Sequence, residues 1–293
     1  MYPKPIERFF APTSVAETLK LLDENRGNAK LIAGGQSLMP MLKVRLLETQ
    51  CLIDLNRVKE LAEIRESTDG LTLGAMVRHA DVEANQFIRT NYPILNDAAR
   101  VIGDPQIRNR GTIGGSLVHA DPAADYPAAV IALDARLTLT KSPSKSRTLA
   151  ADKFFLSPMV TAAAEDELLT AIHLPKPPPR SGGAYVKHSL VSGDFAIISV
   201  AAQLTLDSSG RCTSARIVIG GAASGATPAA RASALLAGKK LDEAVCREAG
   251  ETAAGEVEVS SDVRASAEYR RELIRYMVPT MVRRALDRAG GAK

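Results

Sequence analysis

A glycine-rich segment follows the first apolar strand pattern of the chain and is suited to bind an anion. A strand predicted over residues 30–33 runs directly into Ala33-Gly34-Gly35-Gln36-Ser37, called the first glycine segment below. Glycine lets a backbone turn tightly and approach a ligand without a Cβ atom in the way, and successive free N–H groups form an anion-binding concavity. The Gln36 amide and the Ser37 hydroxyl add donors for phosphate oxygens. A diphosphate is the ligand that this chemistry favours, although such a motif alone also occurs in ordinary turns.

A second glycine-rich segment covers residues 103–116, called the second glycine segment below. It is a long, polar loop in the sequence pattern and ends with Thr112, Gly114, Gly115 and Ser116. So many hydrogen-bonding and backbone-permissive residues in a row are typical of a binding loop. Two such segments could hold the two phosphates of one dinucleotide, and Asp125 could accept hydrogen bonds from its sugar or ribityl hydroxyls.

The sequence lacks the motifs of other kinds of nucleotide site and of metal sites. The first segment has no Gly-Lys-Ser/Thr for a P-loop and no G-x-G-x-x-G for a Rossmann domain. The three cysteines, Cys51, Cys212 and Cys246, are far apart and form no C-x-x-C pair, so buried thiols are expected. The four histidines are dispersed, and no metal site is predicted.

Composition narrows the class of protein. The 293 residues are 45% hydrophobic and 24% charged, with a net charge of +4, 4% aromatic residues and no Trp. Few aromatic platforms for bases make nucleic-acid binding a poor prediction. No apolar run approaches the ~20 residues that span a bilayer, and the N-terminus does not resemble a signal peptide. The expectation is a cytoplasmic protein without a transmembrane segment.

The elements that position the glycine segments form an α+β pattern. Ser14 and Glu17 make a capping box at the start of a helix. Proline and glycine at residues 175–183 predict an extended connector, and residues 207–210 a hairpin turn. Strands are expected at 51–54, 71–74, 136–140, 195–206 and 211–219, and helices at 79–90, 92–101, 125–135, 228–237, 241–254 and 266–289. Two domains follow, residues 1–176 and residues 177–293.

The chain resembles the FAD-binding subunits of molybdenum hydroxylases, such as carbon monoxide dehydrogenase medium chains and the FAD domain of xanthine dehydrogenase. Residues 33–38, residues 103–125 and the stretch 266–271 carry the resemblance. It implies a PCMH-type FAD-binding domain of the vanillyl-alcohol oxidase fold, with two α+β subdomains that meet near residues 55–60. A C-terminal three-stranded sheet with helices is implied beside it.

The resemblance also implies which residues bind FAD. Asp125 matches an acid that contacts the cofactor, and Lys187 matches a lysine near the pyrimidine end of the ring. The remaining matches are a weaker polar contact at Asp121, a backbone contact at Leu169 and the diphosphate contacts, which fall on Ala33, Gly34, Gly35, Gln36, Ser37, Thr112, Gly114, Gly115 and Ser116. Ser116 stands where many members have Asn. No catalytic residue is predicted in this chain.

The implied function is electron transfer within a complex. The implied partners are a small subunit with [2Fe–2S] clusters and a large molybdopterin subunit, and electrons leave FAD for NAD, quinone or oxygen. The alternatives are a stand-alone flavin oxidoreductase of the same fold with its own substrate pocket, and a non-redox nucleotide-binding scaffold.

Several residues keep a simpler interpretation. Lys187 would be a solvent-exposed strand lysine without the resemblance, and Asp104 and Asp121 suit turns. Two interpretations of His119 are equally favoured: a polar contact to the flavin and a hydrogen bond within its loop. His79 is expected to be structural.

Overall fold

A computed structural model describes residues 4–223 and 225–290. The chain begins with a three-stranded parallel sheet in the order β1-β3-β2. Its elements are β1 (Arg8–Phe10), α1 (Val15–Glu24), β2 (Ala29–Ile32), α2 (Leu38–Lys43) and β3 (Cys51–Asp54). The predicted capping box is present in substance: the Ser14 hydroxyl accepts from the Glu17 N–H, and the Glu17 carboxylate accepts from the Thr13 N–H at 2.7 Å.

The next layer is a five-stranded antiparallel sheet with helices on one side, in the order β4-β5-β10-β6-β7. Here the elements are β4 (Ile64–Ser67), β5 (Gly70–Gly74), α3 (His79–Ala84), α4 (Gln86–Asn91), α5 (Pro93–Arg100), α6 (Pro105–Arg110), α7 (Ile113–His119), α8 (Asp125–Ala132), β6 (Arg136–Ser142), β7 (Lys145–Ala150), β8 (Phe155–Ser157), β9 (Val160–Thr161) and β10 (Leu168–Pro175).

Two expectations for this layer were wrong in detail. Residues 79–90 form two helices, because the backbone of Asn85 turns extended after α3 and its side chain caps α4 by accepting from the Ile88 N–H. The second glycine segment is mostly helical, since Asp104 caps α6 and Thr112 caps α7. Short polar residues compete for backbone N–H groups, so they start helices where a loop was expected.

The C-terminal part is a four-stranded antiparallel sheet in the order β11-β12-β13-β14, covered by helices. The expected three strands are joined by one short edge strand. The predicted connector is confined to residues 176–180, because Pro175 ends β10 and Gly182 and Gly183 belong to β11. Its elements are β11 (Ser181–His188), β12 (Ile198–Leu206), β13 (Cys212–Ala222), β14 (Gly225–Pro228), α9 (Ala230–Leu236), α10 (Glu243–Glu256) and α11 (Ala267–Ala289).

The largest hydrophobic core lies between the five-stranded sheet and the helices packed on it. It also takes in Tyr185, Ala201 and Val218 from the C-terminal sheet, so α5 and α8 are packed between the two sheets. The three cysteines are free and buried, as expected. Within the described residues, none of the helices is both long and apolar enough to cross a bilayer.

Candidate functional site

The first glycine segment leaves its backbone donors open. Among the described residues, none of the N–H groups of Gly34, Gly35, Gln36 and Ser37 donates a hydrogen bond. Gly35 has a φ of +74°, in the left-handed region that glycine adopts without strain. The turn therefore presents consecutive N–H groups, which is the arrangement that binds an anion.

The backbone donors at the end of the second glycine segment are already occupied by other groups of the protein. The N–H groups of Ile113 and Gly114 donate to the carbonyls of Val77 and Ala75, at 3.0 and 2.9 Å. The Gly115 N–H donates to the Thr112 hydroxyl oxygen at 3.1 Å. The start of α7 is thereby anchored, and what it can offer a ligand is close approach at Gly115 and the partly exposed Ser116 hydroxyl, because Thr112 is only 2% exposed.

The two glycine segments lie side by side. A Cβ atom on Gly34 would stand 2.3 Å from the Arg110 carbonyl oxygen, so only glycine permits this contact between the segments. A Cβ atom on Gly115 would meet the Ala33 Cβ at 3.6 Å, which shows that Gly115 faces the first segment. The fold therefore brings together the residues that the sequence assigned to a diphosphate.

Two polar side chains tie the segments to each other. The Asn56 amide donates to the Ala33 carbonyl at 3.1 Å, and the Arg78 guanidinium donates to the Asn56 amide oxygen and the Arg110 carbonyl. Burial and the charge of Arg110 lower the pKa of Arg78. These two residues were missed by the sequence analysis: Asn56 follows a predicted strand, but nothing in the sequence pattern marked Arg78.

A cleft of about 360 Å³ opens beside the first segment. Its apolar side includes Phe9, Met39 and Pro40, and its polar side includes Asp54 and Arg110. Donors, the two cations Lys43 and Arg110 and an apolar wall in a single cleft are the mixture found in nucleotide and cofactor sites.

Asp125, Lys187 and Tyr185 form a buried cluster between the two sheets. The Lys187 ammonium donates to one Asp125 oxygen at 3.0 Å, and the Tyr185 hydroxyl donates to the other at 2.6 Å. The Lys187 and Asp125 side chains are 4% and 7% exposed, so the solvent-exposed interpretation of Lys187 was wrong. Burial raises the pKa of Asp125, and the Lys187 charge opposes this rise. Tyr185 was also missed, although a residue two positions from Lys187 in a strand must share its face.

The remaining predicted residues take supporting places. Asp121 closes a turn by accepting from the Ala123 N–H at 2.8 Å, as the turn interpretation predicts, whereas Asp104 caps α6 instead of forming a turn. Leu169 is buried at a bulge in β10. The carbonyl of the following residue, Thr170, accepts from the Ala75 N–H. The strand therefore supports the backbone that anchors α7. A cofactor contact of Asp121 or Leu169 stays a prediction.

Two histidines lie near the second segment. His79 is buried behind Gly111 and beside Tyr126, and burial lowers its pKa to about 4, with smaller contributions from Arg78 and Arg108. It is neutral at pH 7 and structural, as expected. His119 ends α7, and its role stays open between the two interpretations.

The comparisons with known proteins cover nearly the whole chain. The family described as FAD binding domain in molybdopterin dehydrogenase matches residues 4–177, and CO dehydrogenase flavoprotein C-terminal domain matches residues 183–286. A 6-hydroxypseudooxynicotine dehydrogenase complex subunit alpha from Paenarthrobacter nicotinovorans is 40% identical over 96% of this chain and 94% of its own. The carbon monoxide dehydrogenase medium chain of Hydrogenophaga pseudoflava is 37% identical over 99% and 98%.

Solved structures agree with the sequence relatives. The carbon monoxide dehydrogenase of Hydrogenophaga pseudoflava superposes with a TM-score of 0.93 at 37% identity, over 98% of this chain and 99% of that one. Quinoline 2-oxidoreductase from Pseudomonas putida 86 gives a TM-score of 0.91 at 33% identity, over 100% and 99%. The chain therefore belongs to the FAD-binding medium subunits of the molybdenum hydroxylase family and is an oxidoreductase subunit.

Proposed function

We propose that this chain holds FAD across its two glycine segments and carries electrons from the [2Fe–2S] clusters of a partner subunit to an external acceptor. The observation that carries the proposal is the junction of the segments, where Gly34 lies on the Arg110 backbone and Gly115 faces Ala33. One dinucleotide diphosphate at this junction would touch both.

The donors at the junction fit a diphosphate. The open N–H groups of residues 34–37 provide the backbone donors, and the Ser116 hydroxyl supplies a donor from the other side, where the buried Thr112 side chain holds the Gly115 N–H in place. Gly114 has no side chain and so lets α7 pack closely on the neighbouring backbone, because a Cβ atom there would stand 2.5 Å from the Ala75 Cβ. Its N–H is already used.

The ring end of the cofactor is proposed at the buried cluster. An ammonium carries three N–H donors, and the described contacts of Lys187 use one of them, to Asp125. The others suit an acceptor with developing negative charge, such as the pyrimidine end of a reduced flavin. Bound FAD supplies the redox chemistry, in that it accepts electrons and releases them to NAD, quinone or oxygen.

The proposed partners are a small [2Fe–2S] subunit and a large molybdopterin subunit. The relatives support this, since one is named as a subunit of a dehydrogenase complex and another as a medium chain. The organic substrate would react on the large subunit. A cytoplasmic location is part of the same proposal.

The test separates this function from a stand-alone flavin oxidoreductase. The full chain is purified alone and with the two subunits co-expressed. Both preparations are scored for flavin absorbance, for subunit composition, for hydroxylation of purines, aldehydes and N-heterocycles, and for oxidation of carbon monoxide. The chain alone is expected to bind FAD and hydroxylate nothing, whereas a three-subunit complex gains activity. Hydroxylation by the chain alone would overturn the proposal.

A further inference from the structure

Tyr185 meets the Asp125–Lys187 ion pair from the same strand as the lysine. Tyr185 and Lys187 lie two residues apart in β11 and therefore point to the same face of the sheet. We propose that Tyr185 is a positioning residue of the cofactor site: its phenol fixes the Asp125 carboxylate, which in turn fixes the Lys187 ammonium. This inference rests on the proposed function, because it assumes that the lysine faces FAD.

The carboxylate has one donor for each oxygen. Tyr185 donates to one Asp125 oxygen at 2.6 Å and Lys187 to the other at 3.0 Å. Without the phenol hydroxyl, one oxygen of a buried carboxylate loses its donor, and an unsatisfied buried acceptor is costly. The carboxylate would then rotate toward Lys187 or take up a proton, and either change would displace the ammonium.

Tyr185 is itself held firmly. Its backbone N–H donates to Asp97 at 3.3 Å, and Asp97 accepts two hydrogen bonds from Arg288, at 2.7 and 3.2 Å. The phenol is buried, and burial with the nearby Asp125 charge raises the pKa of Tyr185 well above its usual value. The hydroxyl is therefore protonated at neutral pH, where it donates to Asp125.

The Asp125–Lys187 ion pair joins two residues that lie far apart in the sequence. Asp125 begins α8, whereas Lys187 and Tyr185 lie 62 and 60 residues further on, in the C-terminal sheet. The Asp125 carboxylate on one domain thus orients the Lys187 ammonium on the other, and the Tyr185 phenol fixes the orientation of that carboxylate. Binding of a cofactor between the domains should consequently respond to the phenol even without touching it.

The experiment compares two buried phenols. Tyr185→Phe removes the hydroxyl that contacts Asp125, whereas Tyr126→Phe removes a hydroxyl that is buried with no hydrogen-bond partner in the described residues. FAD is removed from the full chain, and its dissociation constant and the flavin midpoint potential are measured after reconstitution. Tyr185→Phe is expected to weaken FAD binding roughly three- to tenfold and to shift the potential, the order of one ordinary hydrogen bond, because the lost bond is to Asp125 and reaches FAD only through Lys187. Tyr126→Phe should change neither.

Asp125→Asn tests the route of the effect. If the phenol acts through the carboxylate, Tyr185→Phe adds nothing in the Asp125→Asn background, and Asp125→Asn alone weakens FAD binding at least as much. Additive losses, a wild-type result for Tyr185→Phe, or a smaller effect of Asp125→Asn would each overturn the proposal. A wild-type chain that binds no FAD would instead refute the proposed function.

Discussion

Lys187→Met removes the charge of the buried pair and keeps the length of the side chain. In the wild-type protein the ammonium lies 3.0 Å from the Asp125 carboxylate, with both side chains almost fully buried. The variant leaves Asp125 with Tyr185 as its remaining donor. Removing one partner of a buried ion pair typically destabilises a protein by about 3–5 kcal/mol, because the other charge stays buried without compensation.

The size of this loss should depend on pH. Burial raises the pKa of Asp125 above the ordinary 3.8, and Lys187 opposes that rise, so without Lys187 the folded-state pKa is raised further. A carboxyl group with a raised folded-state pKa binds its proton more tightly when folded. Its stabilising effect is present below the unfolded pKa and is lost as pH rises through the folded pKa. The variant should therefore be close to wild type near pH 4 and weakest at neutral pH.

Urea unfolding of the cofactor-free chain between pH 4 and pH 8 measures this loss. Lys141→Met is the matched control, because Lys141 pairs with Asp166 at 2.7 Å at the surface, where ion pairs contribute about 0–1 kcal/mol. With FAD bound, Lys187→Met should also lower the flavin midpoint potential by about 20–65 mV, equivalent to about 1–3 kcal/mol for two electrons. A destabilisation that is equal at every pH, or absent at pH 7, would refute the reasoning.

Three further variants probe the site and its support. Gly115→Leu should abolish FAD binding, because its side chain enters the space beside Ala33, whereas Gly255→Leu, on an open helix face, should leave flavin absorbance unchanged. Arg270→Met should lower the free energy of unfolding by about 2–4 kcal/mol. The reason is that the buried guanidinium donates to the carbonyls of Ile197 and Gly221 and pairs with Asp262 at 2.7 Å. Arg271 is exposed, and Arg271→Met should cost under about 0.5 kcal/mol in the same denaturation curves. The pKa of His79 is about 4 in the folded protein against an ordinary 6.5, so the unfolded chain takes up the proton at a higher pH than the folded chain. Wild-type stability should therefore fall by up to about 3 kcal/mol as the pH drops from 6.5 to about 4. His79→Asn should fall less over this range, and equal slopes for both proteins would mean that His79 titrates normally when folded.

The sequence determined the chemistry of the first glycine segment and much of the local structure. Its glycines and polar donors predicted a diphosphate ligand, and within the described part of the chain the N–H groups of residues 34–37 donate no hydrogen bond. The capping pattern at Ser14 and the hairpin turn at residues 207–210 are local interactions between near neighbours, so they could be predicted without the fold.

Local patterns were insufficient where a residue's partner lies far along the chain. The second glycine segment was predicted to be a long, polar loop, yet the carbonyls of Val77 and Ala75 accept from the Ile113 and Gly114 N–H groups and α7 forms there. Those carbonyls belong to a segment about forty residues earlier, beyond the reach of any periodicity or turn rule. The resemblance to a family predicted which residues would bind FAD but not how they are held.

The tertiary structure alone decided how the site is assembled. Asn56 and Arg78 join the two glycine segments, and Lys187 and Asp125 pair across the two sheets. Lysine in a strand is usually solvated, and its burial here is possible because a carboxylate from another domain compensates its charge. A sequence records that both charges exist, but only packing α8 between the two sheets removes water from them and makes each dependent on the other.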